Sequence, residues 1–366
     1  MTQSARRAGS NDAATGPDAV AGSTPIMLRP ARADDGAAVW ELLAPAAAEV
    51  IGMSSLPGSA TAAKQICIDT AETIAALATG SFELADGGHR RLLFVACEPD
   101  SEILGLTGVT FKRAVPNLAV QVTTSEDGEG LIMRSSSVPW TRTELDSSFL
   151  GGKARGRSLG TLLSRGRFML LHLVNSQIPG TIASHLRGRF DSDGSAPFWR
   201  CFGAHLAPHW QSSTEAELAL LADPNRLDEL AGHVRPLTAS VLESLGPVNA
   251  ASMPAFHLLR AEGLKPNGMY DPIDGGPTVV ARLSDTVTGR RRTHGRARLG
   301  SAGPTDALVS VATVDRFRVV RAGVTIDEAS TITIDAGLAA AVDIRPDAIL
   351  AAAPLAPTTG AEGATG

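Results

Sequence analysis

The sequence predicts an α+β fold, and three observations carry that expectation. Residues 61–78 and 159–175 each repeat their apolar groups at the spacing of one helix face: Ile66, Ile74 and Leu77 in the first, Leu159, Leu162, Leu163, Leu170 and Val174 in the second. Two apolar runs of strand length, "RLLFVACEP" and "EILGLTGVTFKRAV", meet at Pro99-Asp100-Ser101, as the arms of an antiparallel hairpin do. The last third turns β-rich in short runs, "PTVVARL", "DALVSVAT", "RFRVVRAG" and "STITIDAG", around a Gly- and Arg-rich link at 289–304.

The remaining elements follow in order. "MTQSARRAGSNDAATGPDAVAGSTP" holds few large apolar groups and lacks the apolar centre of a signal peptide, so residues 1–25 read as a disordered leader. An apolar run then ends at Arg29-Pro30, and Asp34-Asp35 precede a helical pattern (Val39, Leu42, Leu43, Ala46), where acidic groups suit a helix start. "LIMRSSSV", "TELDSSFL" and "TIASHLRG" are strand candidates, and "SAPFWRCFG" is a short aromatic helix ending at Gly203. Residues 204–245 read as mostly helical. The division expected is a main domain over 26–285 with a helical insertion at about 204–245, a small β-rich domain over 286–355, and a disordered tail at 356–366.

Composition narrows the function classes. The chain has 366 residues, 43% of them hydrophobic, which is enough for a sizeable core in one large domain or two ordinary ones. A formal net charge of −5 argues against general nucleic-acid binding. Cys67, Cys97 and Cys201 are widely spaced with no CxxC, so neither a disulfide framework nor a thiolate metal site is expected. His205 and His209 have Pro208 between them and no evident third ligand, and they read as surface residues. The absence of a long apolar run points away from a membrane span, and the expected location is the cytoplasm.

The chemistry concentrates in "LGGKARGRSLGTLLSRGRF", residues 150–168. Gly156-Arg157-Ser158-Leu159-Gly160 fits G-x-S-x-G, but a nucleophile elbow needs a buried apolar strand running into its first glycine. Here Gly151-Gly152-Lys153-Ala154-Arg155, a charged flexible loop, precedes it. A phosphate cradle fits better. A strand leads into Arg155, Arg157, Ser158 and Gly160, and a helix starts there, where free N–H groups, small residues and cations favour an anion.

Arg155-x-x-Ser158-x-Gly160 is close to the R-x-x-G-x-G/A pyrophosphate loop of GNAT-type acyltransferases, with Ser158 in place of the first glycine. "ELDSSFL", "LSRGRFML", "LRGRFDSDGSAPFWRCFG" and "AEGLKPNGMYDPIDGGPT", in that order, resemble the arginine N-succinyltransferase family, as do "LRPARADD" and "SSLP" near the start. The likeness covers roughly residues 26–285. It implies a GNAT-type mixed twisted sheet flanked by helices, with coenzyme A in a gap between two splayed strands. It also implies transfer of an acyl group, succinyl first, from acyl-CoA to the α-amino group of arginine or a related basic amino acid. Acyl-CoA would be a co-substrate, with no permanently bound cofactor and no metal.

By position, the resemblance puts Ser148 where the family has a leucine at the acyl-CoA site. Phe149 and Leu150 continue a strand whose backbone N–H would polarise the thioester carbonyl. Arg155, Arg157, Ser158, Gly160 and Thr161 would hold the pyrophosphate. The family's proton-donating histidine is Asn249 here, in "PVNAAS", and asparagine does not exchange protons near neutrality. Glu144, His185, His257 and a water chain are the candidate proton acceptors. Arg187 would meet a substrate carboxylate, and Asp191, Asp193, Asp271 and Asp274 a guanidinium, although Asp-Gly pairs also simply close turns. The assembly expected is a homodimer or a heteromer with a related subunit. A weakly active CoA-binding subunit beside an active relative is the alternative that Asn249 and Ser148 raise; a diverged biosynthetic enzyme with another donor or amine is a further one.

Overall fold

The computed structural model describes residues 24–47, 56–99, 102–136, 138–154, 159–235 and 238–356. Nearly all of the expected leader and tail, Ser54, Ser55, Asp100 and Ser101, and the basic-loop residues Arg155, Gly156, Arg157 and Ser158 lie outside the described residues.

The first half of the chain gives β1 (Met27–Pro30), α1 (Gly36–Ala47), α2 (Ala60–Thr79), β2 (His89–Cys97), β3 (Ile103–Pro116), β4 (Ala119–Thr124), β5 (Leu131–Ser136), β6 (Pro139–Leu150), α3 (Leu159–Leu173) and β7 (Thr181–His185). α2 begins where Ser59 accepts the Ala62 N–H and ends where Gly80, at φ +72°, returns its N–H to Ala76. The hairpin expected on either side of Pro99 is β2–β3, paired from His89↔Lys112 to Cys97↔Ile103.

In the expected insertion, a π-helical turn at Trp199–Gly203 runs into α4 (Ala204–Leu206), followed by α5 (Ser213–Ala222), β8 (Gly232–Val234) and α6 (Ala239–Ser244). The segment is therefore less helical than its composition suggests, because β8 pairs with β5 at the sheet edge. α7 (Met253–Glu262), β9 (Lys265–Tyr270), β10 (Pro277–Arg282) and α8 (Val287–Arg291) complete the main body. β11 (Thr293–Gly300), β12 (Thr305–Val311), β13 (Val319–Ile326), β14 (Ile332–Asp335), α9 (Ala336–Ala341) and β15 (Ile349–Pro354) follow.

The main sheet runs β1-β2-β3-β6-β7-β10-β9-β4-β5-β8. It is mixed: β6–β7 is parallel and its other pairings are antiparallel. The five C-terminal strands close on themselves in the order β12-β15-β11-β14-β13, with β12 returning to β13. Closure leaves no free ladder edge in that unit. β13 also pairs with β1, so one short strand joins the closed unit to the main sheet.

α3 lies under the sheet with nearly every side chain buried, and Leu159, Leu162, Leu163, Phe168 and Leu170 pack on Leu92, Phe94, Val109, Leu145 and Ile182. α1 and α2 cover the opposite face through Val39, Leu43, Ile66 and Cys67 against Leu93, Val95 and Leu106. A third apolar cluster, built on Phe198, Trp199, Phe202 and Trp210, fills the space beneath β4 and β5. No helix among the described residues is long and apolar enough to cross a membrane.

Candidate functional site

The feature that organises the site is the parting of β6 from β7. The two strands pair in parallel only at Thr143↔Ile182 and Glu144↔Ala183, and beyond that point β6 continues to Leu150 with β3 on one edge and no ladder to β7 on the other. Ser184 Oγ caps the first carbonyl left open, donating to Leu145 O at 3.0 Å. On its other edge β6 bulges. Leu106 faces Phe149 and Gly108 faces Asp146, so two residues, Ser147 and Ser148, oppose Thr107 alone. A bulge leaves backbone groups outside the ladder and re-aims them, which is what an acyl-carbonyl site on a strand requires. Ser148 is exposed and its hydroxyl meets Thr107 Oγ1 at 2.9 Å. Phe149 and Leu150 are half-buried in the walls, packing on opposite sides of the sheet.

Below the bulge sits Arg167, fully enclosed on α3. It donates through Nη1 to Gly108 O at 2.9 Å and to Asp146 O at 3.4 Å. Burial lowers its pKa to about 10, against the pull of Asp146, so it remains charged at neutral pH. One cation thus ties the helix to the carbonyls of both strands beside the bulge.

β6 then feeds α3 directly. Gly151 N–H returns to Leu104 O, a single 3-10 turn covers Gly152–Ala154, and α3 opens at Leu159. Gly160 and Thr161 occupy its first turn, and a Cβ at Gly160 would lie 3.6 Å from Leu258 of α7. Arg155, Arg157 and Ser158 lie in the segment outside the described residues.

Four polar groups gather where the strands part. Glu144 accepts from Lys112 Nζ of β3 at 2.8 Å and from Arg142 Nε at 3.0 Å, and His185 Nε2 lies 3.6 Å away. Burial raises the Glu144 pKa, but nearby His185, with Lys112 and Arg142, outweighs it and holds the carboxyl well below its ordinary value. His185 Nδ1 is 2.9 Å from Thr278 Oγ1 on β10.

Beyond β7, two loops meet backbone to backbone. A Cβ at Gly188 would collide with the Asp274 carbonyl, and one at Gly276 with the Leu186 carbonyl. The Arg-Gly of "LRGRF" and the Gly-Gly of "DPIDGGP" are therefore the two halves of one close contact. Arg187 Nε sits 3.2 Å from Asp274 Oδ2 and its guanidinium lies over Phe190 at 4.8 Å. Asp274 is 1% exposed and accepts the Gly276 N–H at 2.8 Å. Burial first, then the Asp271 charge, raise its pKa to about 7, opposed by Arg187. Asn249 joins this corner through its backbone, donating to Arg187 O at 2.8 Å, while its side-chain oxygen accepts the Ala251 N–H at 2.9 Å.

The sequence candidates thus divide. Glu144, His185, Ser148, Phe149, Leu150, Arg187, Asp274 and Asn249 surround one strand opening or the loops at its end. Asp191 instead pairs with Arg200 on an exposed turn, Asp193 accepts from Ser195, and Asp271 Oδ1 caps the N–H groups of Ile273 and Asp274. His257 is exposed on α7 with its ring against Phe256, and no hydrogen bond joins it to the cluster. His209 pairs with Glu229 on the surface, and no group of three His, Cys, Asp or Glu that could hold a metal occurs among the described residues.

Lys112, Thr278, Thr107 and Arg167 have roles that sequence reading did not assign. Only strand register places Lys112 beside Glu144, and only the β7–β10 pairing places Thr278 beside His185. A cavity of about 700 Å³ lies elsewhere, between β1, α2 and the turn before β13. Arg29 pairs with Asp35 there, and Arg316 and Arg318 share Asp343.

Comparison with known proteins addresses the same region. The family model described as arginine N-succinyltransferase beta subunit matches residues 132–288. An arginine N-succinyltransferase of Yersinia pestis is 30% identical over 154 residues, 39% of this chain and 42% of that protein. An arginine N-succinyltransferase subunit beta of Pseudomonas aeruginosa is 26% identical over 211 residues, 54% of this chain and 62% of that protein. The chain thus spans about half the length of the curated relatives it matches. The solved structure of arginine/ornithine succinyltransferase subunit AI from Pseudomonas aeruginosa superposes with a TM-score of 0.74 at 20% identity, over 92% of this chain and 100% of that one. The two share the fold, and the α+β class expected from the sequence is the one observed.

Proposed function

We propose that this chain, a diverged member of the arginine N-succinyltransferase family, is an acyl-CoA-dependent N-acyltransferase acting on the α-amino group of arginine or a related basic amino acid, with succinyl-CoA as the first donor. The observation that carries the reading is the strand opening: β6 leaves β7, bulges at Ser147-Ser148 and leads within a few residues to the start of α3.

In this reading the thioester lies along the free edge of β6 beside Ser148, Phe149 and Leu150, where strand N–H groups polarise its carbonyl. The pyrophosphate rests on the α3 N-terminus among Arg155, Arg157, Ser158, Gly160 and Thr161. Arg187, held through Nε by Asp274 and backed by Phe190, presents its remaining N–H groups to a carboxylate of the acceptor or the acyl group. Glu144 does not serve as the base. A carboxylate surrounded by Lys112, Arg142 and His185 has too little proton affinity to deprotonate an ammonium.

Thiol release tests the reading directly. Purified protein with succinyl-CoA or acetyl-CoA against arginine, ornithine and lysine is expected to release free thiol fastest with succinyl-CoA and a basic amino acid. Silence with every pair, while coenzyme A still binds, would favour a second reading that Asn249 supports. There the carboxamide only caps its own turn, and the chain is a CoA-binding subunit of a heteromer whose active relative carries the titrating group. Co-purification with such a relative is the positive sign of that alternative.

A further inference from the structure

We infer that His185, held by Thr278 and facing Glu144, is the general base that takes the amine proton in this chain; the inference rests on the acyltransferase reading above.

Position comes first. His185 is the last residue of β7, two beyond Ala183, the final residue that β7 pairs with β6, so it stands at the mouth of the strand opening. Its side chain is 28% exposed and therefore within reach of a substrate. Asn249 is anchored two residues further along the same segment, through Arg187 O, and its carboxamide cannot change protonation state near neutrality.

Geometry gives the ring its role. With its hydrogen on Nδ1, donated to Thr278 Oγ1, the imidazole presents a bare Nε2 lone pair 3.6 Å from Glu144 Oε2. That separation exceeds a hydrogen bond for the neutral ring. Once Nε2 gains a proton the pair becomes attractive, so Glu144 stabilises the imidazolium while remaining a carboxylate itself. The charged groups around this pair are Glu144 and Arg142 from β6 and Lys112 from β3, and β10 contributes the neutral Thr278. The competing groups are excluded by placement. Glu144 is surrounded by cations, Asp274 is closed off at 1% exposure, and His257 makes no hydrogen bond to the cluster.

The step balances. The acceptor ammonium gives one proton to Nε2, and its freed lone pair forms the C–N bond at the thioester carbon. The tetrahedral intermediate collapses with cleavage of the C–S bond, a second proton passes from nitrogen to the departing thiolate, and one hydrogen stays on the amide. His185 then releases its proton to solvent.

The test is kcat/KM against pH for succinyl-CoA and arginine, with wild type, His185→Gln and Glu144→Gln compared, and with coenzyme A binding measured by calorimetry as the check of folding. Wild type is expected to show an acid limb governed by one ionisation. His185→Gln is expected to lose that limb and about 10²- to 10⁴-fold in rate with coenzyme A affinity unchanged. Glu144→Gln, which removes the carboxylate facing Nε2, is expected to keep the acid limb and lose part of the rate. Added imidazole is expected to restore part of the His185→Gln rate. A His185→Gln enzyme that binds coenzyme A and keeps the acid limb at near wild-type rate would overturn the role of His185 alone. A Glu144→Gln enzyme as fast as wild type across the pH range would do the same. Wild type that releases no thiol with any pair would overturn the acyltransferase reading, and the base with it.

Discussion

Asp274 shows how a residue chosen for one role is placed for another. The sequence offers it as a partner for a substrate guanidinium, but the fold closes it in at 1% exposure and gives it Arg187 and the Gly276 N–H as neighbours. Its pKa is raised from 3.8 to about 7, chiefly by burial and then by Asp271. The neutral acid is therefore the form the fold prefers. Below pH about 4 the side chain is neutral in folded and unfolded chains alike, and its contribution is fully present. Between about 4 and 7 the unfolded chain has lost its proton while the folded one retains it, so this contribution falls as pH rises. Asp274→Asn removes the ionisation while keeping an acceptor for Gly276. The melting temperature of wild type relative to Asp274→Asn is expected to decline between pH 4 and 7.5, measured by thermal melts across that range. A constant difference would show that the carboxyl ionises as freely folded as unfolded.

At the scale of elements, the site is a junction of loops held apart by nothing larger than a hydrogen atom. Gly188 and Gly276 bring the end of β7 and the entry to β10 into backbone contact, and Arg187, Asp274 and Asn249 are fixed by that contact. Gly276→Ala would drive a methyl into the Leu186 carbonyl, which has no side-chain freedom with which to yield. Overpacking of this kind costs about 1–3 kcal/mol. Gly180→Ala meets nothing within 4 Å and is expected to stay within about 0.5 kcal/mol of wild type. Urea denaturation of the two variants compares them directly, and equal midpoints would refute the close-approach account.

The same junction explains what was legible beforehand. The motifs sit in strand ends and loops whose residue types follow from local need, so "TELDSSFL", "LRGRF" and "DGGPT" stood out in order. Lys112 beside Glu144 and Thr278 beside His185 depend on register between strands far apart in sequence, and no local spacing encodes that. β8 was missed because three residues carry no periodicity, and it exists only because β5 offers an edge.

Across the whole molecule, one buried ion pair ties the helix beneath the site to the chain's later segments. Arg165 of α3 donates to Glu262 of α7 at 2.8 Å, and reaches Thr288 of α8 and the carbonyl of Leu355 just past β15. Glu262 is fully enclosed and also accepts the Thr288 N–H. Burial nevertheless raises its pKa, against the pull of Arg165 and Thr288, so the attraction does not fully offset the loss of water. Two outcomes follow from that imbalance. Glu262→Ala strands the Arg165 guanidinium in the interior and is expected to cost about 3–5 kcal/mol. The double variant Arg165→Met with Glu262→Leu removes both charges at similar volume, and it is expected to recover most of that loss or exceed wild type. Urea unfolding of Arg165→Met, Glu262→Leu and the double variant closes the cycle. A double variant as unstable as the sum of the singles would mean that the two side chains act independently, not as a coupled pair that holds α3 to α7 and the C-terminal strands. The recovered double variant would assign that task to the apolar contacts of Leu159, Leu259 and Leu264, and leave the charges to set which segments meet.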